Sequence, residues 1–186
     1  MNVKAELRRR GLLLLQDAKV ASVATLVAGE AIRGSWWGHP RSREIYARLV
    51  ELADDTDVIA TRLIAKKVTF VHRKLWPALI GVAMSRAPWQ TRGLSTEARK
   101  LLASVKRQGT LRAKGKPTRE LQERLLLHAR EVHTESGRHE IELRMWKAWL
   151  EEKGDLQALP LAEAREALER ATVAIGGRET MLPWRA

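Results

Sequence analysis

The stretch VIATRLIAKKVTFVHR, residues 58–73, decides the fold of the first half of this chain. Its two flanking runs, residues 58–64 and 68–73, are rich in β-branched residues, which favour β-strands. Between them lies the short segment Ala65-Lys66-Lys67, which carries two cations and no large apolar side chain. The pattern therefore predicts a β-hairpin with a basic tip.

Helices are predicted on both sides of this hairpin. Before it, Ile45, Leu49 and Leu52 recur at spacings of four and three residues, which places them on one face of a helix over residues 42–52. After it, residues 75–84 are expected to form another helix. A helix followed by a hairpin is the outline of a winged-helix unit.

The N-terminal segment completes this first unit, which we place in residues 1–86. Residues 3–17 are expected to form a helix, and residues 22–27 a short helical turn. Residues 32–40, IRGSWWGHP, contain two glycines and a proline, so they are expected to form a loop that carries two adjacent tryptophans and a histidine.

A second winged-helix-like unit is predicted in residues 92–175. Its expected parts are helices over residues 94–107, 117–127 and 161–174 and a basic connector over residues 108–116. Residues 126–146 fit either a β-hairpin or two helices. We favour the hairpin, because helix, basic connector, helix and hairpin then follow one another as in a winged-helix domain.

The chain is therefore predicted to be an α+β protein, predominantly helical, with tandem winged-helix-like units and short β-hairpins. Residues 85–93, SRAPWQTRG, are expected to link the two units, because glycine, proline and polar residues are frequent in linkers. Residues 176–186 are expected to form a loose tail.

Positive charge is concentrated in one third of the sequence. Residues 61–119 contain fifteen Lys or Arg and a single acid, Glu97, whereas the rest of the chain has nineteen bases and twenty-one acids. The formal net charge of +12 therefore lies within this segment. Such a segment repels itself unless a polyanion binds it, so nucleic acid is the leading partner. DNA is preferred to RNA, because no RNA-recognition motif is visible.

Four motifs resemble a family of small bacterial proteins over residues 20–150. They are RGSWWGHP, KKVTFVHRKLWPAL, LSTEARKLL and EVHTESGRHE. More distantly, the layout resembles the winged-helix DNA glycosylases that unhook interstrand crosslinks, and this resemblance implies DNA binding in a cleft. Those glycosylases carry a Gln-x-Gln catalytic motif, and no such pair of glutamines occurs in this chain. Catalysis is therefore not expected from the resemblance.

The aromatic loop supplies the first candidate site. An exposed Trp36 or Trp37 could stack on an unpaired base or wedge into a duplex step. Alternatively, one or both rings fill the core of a domain poor in phenylalanine. We expect one ring to point inward and Trp37 to point outward, because neighbouring side chains of an extended loop diverge. His39, next to Pro40, is expected to fix the loop by hydrogen bonding.

Two groups of cations are candidates for phosphate contacts. The first surrounds the hairpin and comprises Lys66, Lys67, Arg73 and Lys74. The second surrounds the connector and comprises Arg112, Lys114, Lys116 and Arg119. In the helix that opens at Pro117, Thr118, Arg119 and Gln122 are candidate base readers, because a recognition helix presents its N-terminal residues to the major groove.

These observations leave two classes of function. The first is a DNA-binding protein that holds duplex or distorted DNA in repair or regulation. The second is a glycosylase-like enzyme that uses an acid or a histidine beside Trp36 and Trp37 on a flipped base. No phosphate-cradling loop, nucleophile elbow or Rossmann fingerprint is present, so no cofactor is expected.

Metal and membrane sites are not expected either. The chain has no cysteine, and His133 and His139 lack the spacing of helical zinc ligands. The run of four leucines from Leu12 is too short for a signal peptide, and no segment is long enough to span a membrane. The expected location is the cytoplasm, in association with the nucleoid.

Overall fold

The computed structural model of the protein describes residues 2–133 and 139–185. It is a mixed α/β fold, about 50% helical, with two small antiparallel three-stranded sheets. This confirms the predicted combination of helices with short β-hairpins. The contacts divide the chain into a first unit, Met1–Trp76 with Arg165–Ala186, and a second unit, Pro77–Ala164. The sequence-based ranges assigned the final helix to the second unit instead.

The helices and strands are numbered along the chain. Their order is α1 (Val3–Arg10), β1 (Leu12–Leu14), α2 (Val23–Ala28), α3 (Ser42–Ala53), β2 (Val58–Ile64), β3 (Lys67–His72), α4 (Trp76–Ala83), α5 (Pro88–Thr91), α6 (Thr96–Gln108), β4 (Thr110–Arg112), α7 (Lys116–Glu123), β5 (His128–His133), β6 (His139–Arg144), α8 (Trp146–Glu151) and α9 (Leu161–Ala174). Short 3₁₀ turns lie at Trp36–Gly38, Arg73–Leu75 and Glu179–Met181.

The predicted hairpin is confirmed and has a two-residue tip. Strands β2 and β3 pair in antiparallel register, with Thr61 opposite Thr69. Ala65 and Lys66 form the turn and both have positive φ angles, of 49° and 59°. Two left-handed residues in succession match the twist of an antiparallel hairpin. Lys67 therefore belongs to β3 and not to the tip.

The sheet of the first unit has a third strand that the sequence analysis missed. Helix α1 ends at Arg10 because Gly11 adopts a left-handed conformation, with φ of 85°, and its N–H donates to the Leu7 carbonyl. The following β1 pairs with β3 and gives the strand order β1-β3-β2. The helix predicted over residues 3–17 is thus wrong in its second half. The three leucines of β1 are all fully buried, whereas an amphipathic helix buries only one of its faces.

Close packing around position 11 also favours glycine there. A Cβ atom there would lie 2.7 Å from Leu75 Cδ1 and 2.8 Å from Lys74 Cε. A side chain there would therefore require the ends of these two flexible side chains to shift.

One apolar core joins the helices of the first unit to the sheet. Its buried members include Leu7 of α1, Ile45 and Leu52 of α3, Phe70 of β3 and Trp36 of the aromatic loop. The three-and-four spacing predicted for α3 is confirmed, because Ile45, Leu49 and Leu52 are its buried residues. The core fixes the start of the loop that carries Trp37.

The second unit is built around α6, α7 and a sheet of strand order β4-β6-β5. Ser95 caps α6, since its Oγ accepts from the Ala98 N–H at 3.2 Å. Glu120 of α7 accepts from the Ser95 N–H at 2.8 Å and from its Oγ at 2.6 Å. The hydrogen bonds from Ser95 hold the pKa of Glu120 below its usual range. The two helices are thereby fixed to each other at one end.

The favoured hairpin in residues 126–146 is confirmed by β5 and β6, which pair with Glu131 opposite Ile141. The tip of this hairpin lies outside the described residues. Two other expectations for this unit are corrected. The connector contains β4, and the helix that follows it ends at Glu123, because Leu125 takes a φ of 50°.

The segment expected to be a linker, residues 85–93, contains α5 and a buried side chain. Gln90 is 1% exposed. Its Oε1 accepts from the Ala87 N–H, and its Nε2 donates to the Ala83 carbonyl, both at 2.9 Å. A buried amide with this many partners belongs to a packed structure rather than to a flexible linker.

The last residues also pack, whereas a loose tail was expected. Leu182 is fully buried, and the Ala65 N–H donates to the Met181 carbonyl at 2.7 Å. Glu169 of α9 accepts from Arg185 Nε at 2.9 Å and from Trp184 Nε1 at 2.8 Å. The C-terminal segment is therefore part of the first unit. Among the described residues, no helix is long and apolar enough to cross a membrane.

Leu182→Ala tests this packing. It removes a fully buried side chain, so the free energy of unfolding should fall by about 2–5 kcal/mol. The matched control is Val173→Ala on α9, where the side chain is 53% exposed and the change should be below about 0.5 kcal/mol. Chemical denaturation measures both values. Equal stability of the two variants would show that the C-terminal segment does not pack as described.

Candidate nucleic-acid interface

The cations of the basic segment are shared between the two units. Five of the fifteen lie in the first unit, around the β2–β3 hairpin, and ten lie in the second unit. Each unit therefore has its own candidate surface for a polyanion.

The cations of the second unit include a continuous series that we call the basic strip. It runs from the last turn of α6, through β4, to the first turn of α7. Its members are Lys106, Arg107, Arg112, Lys114, Lys116 and Arg119, and all six are exposed. Helices α6 and α7 bury other positions, among them Leu102 and Leu121, so the charged positions face solvent.

Five members of the basic strip form no ion pair within the described part of the chain, although the charge of Lys116 also acts on Glu120. Only Arg112 forms an ion pair, with Glu140 at 3.1 Å. The other five, which are Lys106, Arg107, Lys114, Lys116 and Arg119, form no salt bridge with any described residue. The strip thus carries uncompensated positive charge over fourteen residues of sequence.

The start of α7 places only part of the predicted base-reading set at the surface. Arg119 is exposed, whereas Thr118 is 1% exposed and packs inside the unit. The prediction of Thr118 as a base reader is therefore wrong. Gln122 is half-buried and interacts within the protein.

The cations around the first hairpin are mostly engaged. Lys67 Nζ lies 2.6 Å from Asp17 Oδ2 and forms an ion pair with it. Arg73 pairs with Asp57 at 3.2 Å, and Lys74 Nζ donates to the Arg9 carbonyl at 2.7 Å. Lys66, at the exposed tip, forms no salt bridge with a described residue. Of the four predicted phosphate contacts, Lys67 and Arg73 are thus paired with carboxylates, and Lys66 is the one with neither an ion pair nor a side-chain hydrogen bond to a described residue.

The Asp17 carboxylate accepts several hydrogen bonds, one of them from Lys67. Burial would raise the pKa of Asp17, but the hydrogen bonds from Lys67 and from the N–H groups of Lys19 and Val20 outweigh this effect and lower it. Because the folded-state pKa is lowered, the stabilisation is present above the ordinary aspartate pKa and is lost as the pH falls through the lowered value.

The aromatic loop places one tryptophan inside and the other outside. Trp36 is 7% exposed and belongs to the core, whereas Trp37 is 63% exposed, as predicted. The two rings do not diverge, however, as was expected of neighbouring side chains in an extended loop. In the 3₁₀ turn they stack, with centroids 4.0 Å apart and an interplanar angle of 25°. Tyr46 of α3, 43% exposed, lies 5.8 Å from the Trp37 centroid.

His39 fixes this loop, as expected. Its Nδ1 accepts from the Arg41 N–H at 3.1 Å, and its Nε2 lies 3.3 Å from a carboxylate oxygen of Glu30. Both ring nitrogens are thus occupied. The histidine connects the loop to the residues on either side of it.

A cleft that the sequence analysis missed lies in the first unit, with a volume of about 290 Å³. Charged residues that line it are Lys4, Arg8, Asp55 and Asp57, and His72 lies beside them. They come from α1, from the turn after α3 and from the end of β3, so their sequence spacing gives no signal. The lining does not include Trp36 or Trp37.

Two of the charged side chains that line the cleft form an ion pair with each other. Lys4 Nζ lies 3.1 Å from Asp55 Oδ2. His72 Nδ1 accepts from the Lys74 N–H, and burial lowers the pKa of His72, so the ring is neutral at pH 7. The Lys4–Asp55 ion pair thus joins the start of α1 to the turn after α3.

The histidines of the second unit do not form a metal site within the described residues, where no group of three potential ligands occurs. His128 stacks on Trp149 at 5.4 Å and meets the edge of Trp146 at 5.3 Å. Burial, together with nearby Arg144, lowers the pKa of His128 to about 3, which keeps it neutral. The side chains of His133 and His139 lie outside the described residues.

No protein-family model, curated protein or solved structure significantly matches this chain. The resemblances inferred from the sequence motifs therefore stay predictions.

Alanine substitutions should separate the roles of the stacked tryptophans. Trp36→Ala removes a buried ring and should lower the free energy of unfolding by about 3–5 kcal/mol. Trp37→Ala loses one exposed stacking contact, so its effect should be about 1 kcal/mol or less. Denaturant titrations followed by circular dichroism give both values. Equal destabilisation would mean that Trp37 also belongs to the core.

Proposed function

We propose that this protein binds DNA through the basic strip of its second unit and through Lys66 at the hairpin tip of its first unit. The observation that carries the proposal is the set of five exposed cations in the strip that have no ion pair with a described residue. Such charges are stabilised by a polyanion whose own charges recur at short intervals. The phosphates of duplex DNA provide this spacing.

Binding through these residues discriminates weakly between sequences. Lysine and arginine contacts to phosphates fix the position of a protein on the duplex but do not identify bases. The predicted base-reading set is reduced by the burial of Thr118, so cations outnumber base readers still further. The proposed ligand is duplex or distorted DNA of many sequences, as suits a role in repair or regulation.

The fold supports the proposal at a general level. Both units contain helices, a short first strand and a final hairpin whose second strand lies in the centre of the sheet. We propose that they are tandem winged-helix-like units, the architecture implied by the resemblance. In such units the hairpin contacts the DNA backbone, which is the role proposed here for Lys66.

The glycosylase-like alternative has less support. It requires an acid or a histidine in a cleft beside the tryptophan pair. The cleft at His72 lacks both tryptophans in its lining, and its carboxylates are engaged with Lys4 and Arg73. His39, which does neighbour the pair in sequence, uses both ring nitrogens in the loop. Binding without chemistry is therefore the proposed function.

Salt dependence tests this proposal. The affinity for a labelled duplex should fall steeply between about 50 and 200 mM salt, because phosphate contacts release counterions. Replacing Lys114, Lys116 and Arg119 together by Gln should reduce the slope of log affinity against log salt by about one per contact. Fluorescence anisotropy at several salt concentrations gives these slopes.

The matched control for this experiment is Lys147→Gln. Lys147 is also in the second unit and is 78% exposed, but it pairs with Glu151. Its substitution should leave the slope unchanged. A flat salt dependence of the wild-type protein, or the same loss in the control and in the triple variant, would contradict binding through the basic strip.

A further inference from the structure

The exposed face of Trp37 forms the centre of a surface that we call the aromatic platform, which consists of Trp37 and Tyr46 backed by Trp36. Large apolar side chains are rarely left exposed next to one another on a monomer without a binding role. Here two exposed rings lie 5.8 Å apart, and the buried Trp36 supports the inner face of Trp37 at 4.0 Å. Since Trp37 remains 63% exposed, its outer face is open to a ligand.

The platform is held in place before any ligand arrives. The Ser35 Oγ accepts from the Trp37 N–H at 3.4 Å, and the His39 N–H donates to the Trp36 carbonyl at 3.0 Å. Tyr46 lies on the regular helix α3. A ligand that stacks on these rings therefore has little ordering entropy to overcome.

Two arginines lie close to the rings along the sequence. Arg43 precedes Tyr46 by three residues on α3, so the two side chains share one face of the helix. Arg33 lies in the loop before Trp36. Both arginines are exposed, and neither forms a salt bridge with a described residue. Of the acids nearby in sequence, Glu44 pairs with Arg41, and Glu30 lies 3.3 Å from His39 Nε2.

We propose that the aromatic platform binds an unpaired base of single-stranded or distorted DNA, with Arg43 and Arg33 contacting the flanking phosphates. This inference rests on the proposed DNA binding and adds a preference for DNA in which a base is accessible. An open aromatic face next to uncompensated arginines is the combination by which proteins bind single strands without sequence preference. In an intact duplex both faces of each base are covered by neighbouring bases.

The charge of the site decides between this occupant and others that stack on tryptophan. A proline-rich peptide or a sugar would cover the rings but would leave Arg33 and Arg43 without an anion. A cationic ligand would be repelled by the same arginines. A nucleotide segment satisfies the rings and the arginines together.

The experiment compares two DNA probes at one salt concentration, a labelled oligothymidylate and a labelled duplex. Trp37→Ala should weaken binding of the oligothymidylate by about 5- to 150-fold, the loss typical of one stacked base. Binding of the duplex should change by less than about twofold. Trp37→Leu keeps an apolar side chain at this position, and Tyr46→Ala keeps the Trp37 ring. Each of the two variants should show the same selective loss.

Three controls keep the result interpretable. Thermal unfolding checks that each variant is folded. Val173→Ala removes exposed apolar surface on α9, away from the platform residues in sequence, and should leave both affinities unchanged. A polyproline peptide serves as an uncharged competitor and should not displace the oligothymidylate.

Each outcome bears on a different claim. If the wild-type protein binds the duplex but the oligothymidylate affinity is insensitive to Trp37, the platform inference is overturned and the proposed function stands. If all variants lose duplex and single-strand affinity equally, the platform is not selective for unpaired bases, and the inference is also overturned. If the wild-type protein binds neither probe, both proposals are wrong. Displacement by polyproline would assign the platform to a peptide instead.

Discussion

The central position of β3 connects the parts of the first unit. Phe70 of this strand lies opposite Leu13 of β1 on one side and Ala60 of β2 on the other. The same side chain enters the core that holds Trp36, and Trp36 in turn supports the ring of Trp37. The strand thus fixes both the hairpin tip with Lys66 and, through the core, the aromatic platform. A change that displaced β3 would move both surfaces.

Charge compensation separates the cations of the basic segment into two kinds. Lys67, Arg73 and Arg112 have carboxylate partners within the protein, so part of their charge is compensated. Lys66 and most of the basic strip have none among the described residues, and exposed charges of one sign repel each other. The proposed DNA ligand removes this repulsion. A count of lysines and arginines alone would assign all of them the same role.

Much of the local structure follows from sequence patterns. The β-branched runs predicted β2 and β3, and the apolar spacing predicted α3 and α6. Strand β1 was missed because three consecutive leucines have no period that distinguishes a buried strand from a helix. The end of α1 depends on the conformation of Gly11, which a single glycine in the sequence does not specify.

The candidate site was harder to predict, for reasons of distance along the chain. The ion-pair partner of Lys67 is Asp17, which is fifty residues away in sequence. The compensation of the Lys67 charge could therefore not be inferred from the residues next to it. The exposure of Trp37 was predicted, but the stacking on Trp36 follows from a 3₁₀ turn that the glycine-rich loop did not indicate. Tyr46 joins the platform because α3 begins just after the loop.

The claim that uncompensated lysines hold the DNA can be tested most directly by a lysine-reactivity footprint. The protein is acetylated with and without saturating duplex DNA, and mass spectrometry measures the reactivity of each lysine. The account predicts protection of Lys66, Lys106, Lys114 and Lys116. It predicts unchanged reactivity of Lys4 and Lys147, which pair with carboxylates. Uniform protection of all six lysines, or protection confined to Lys4 and Lys147, would contradict it.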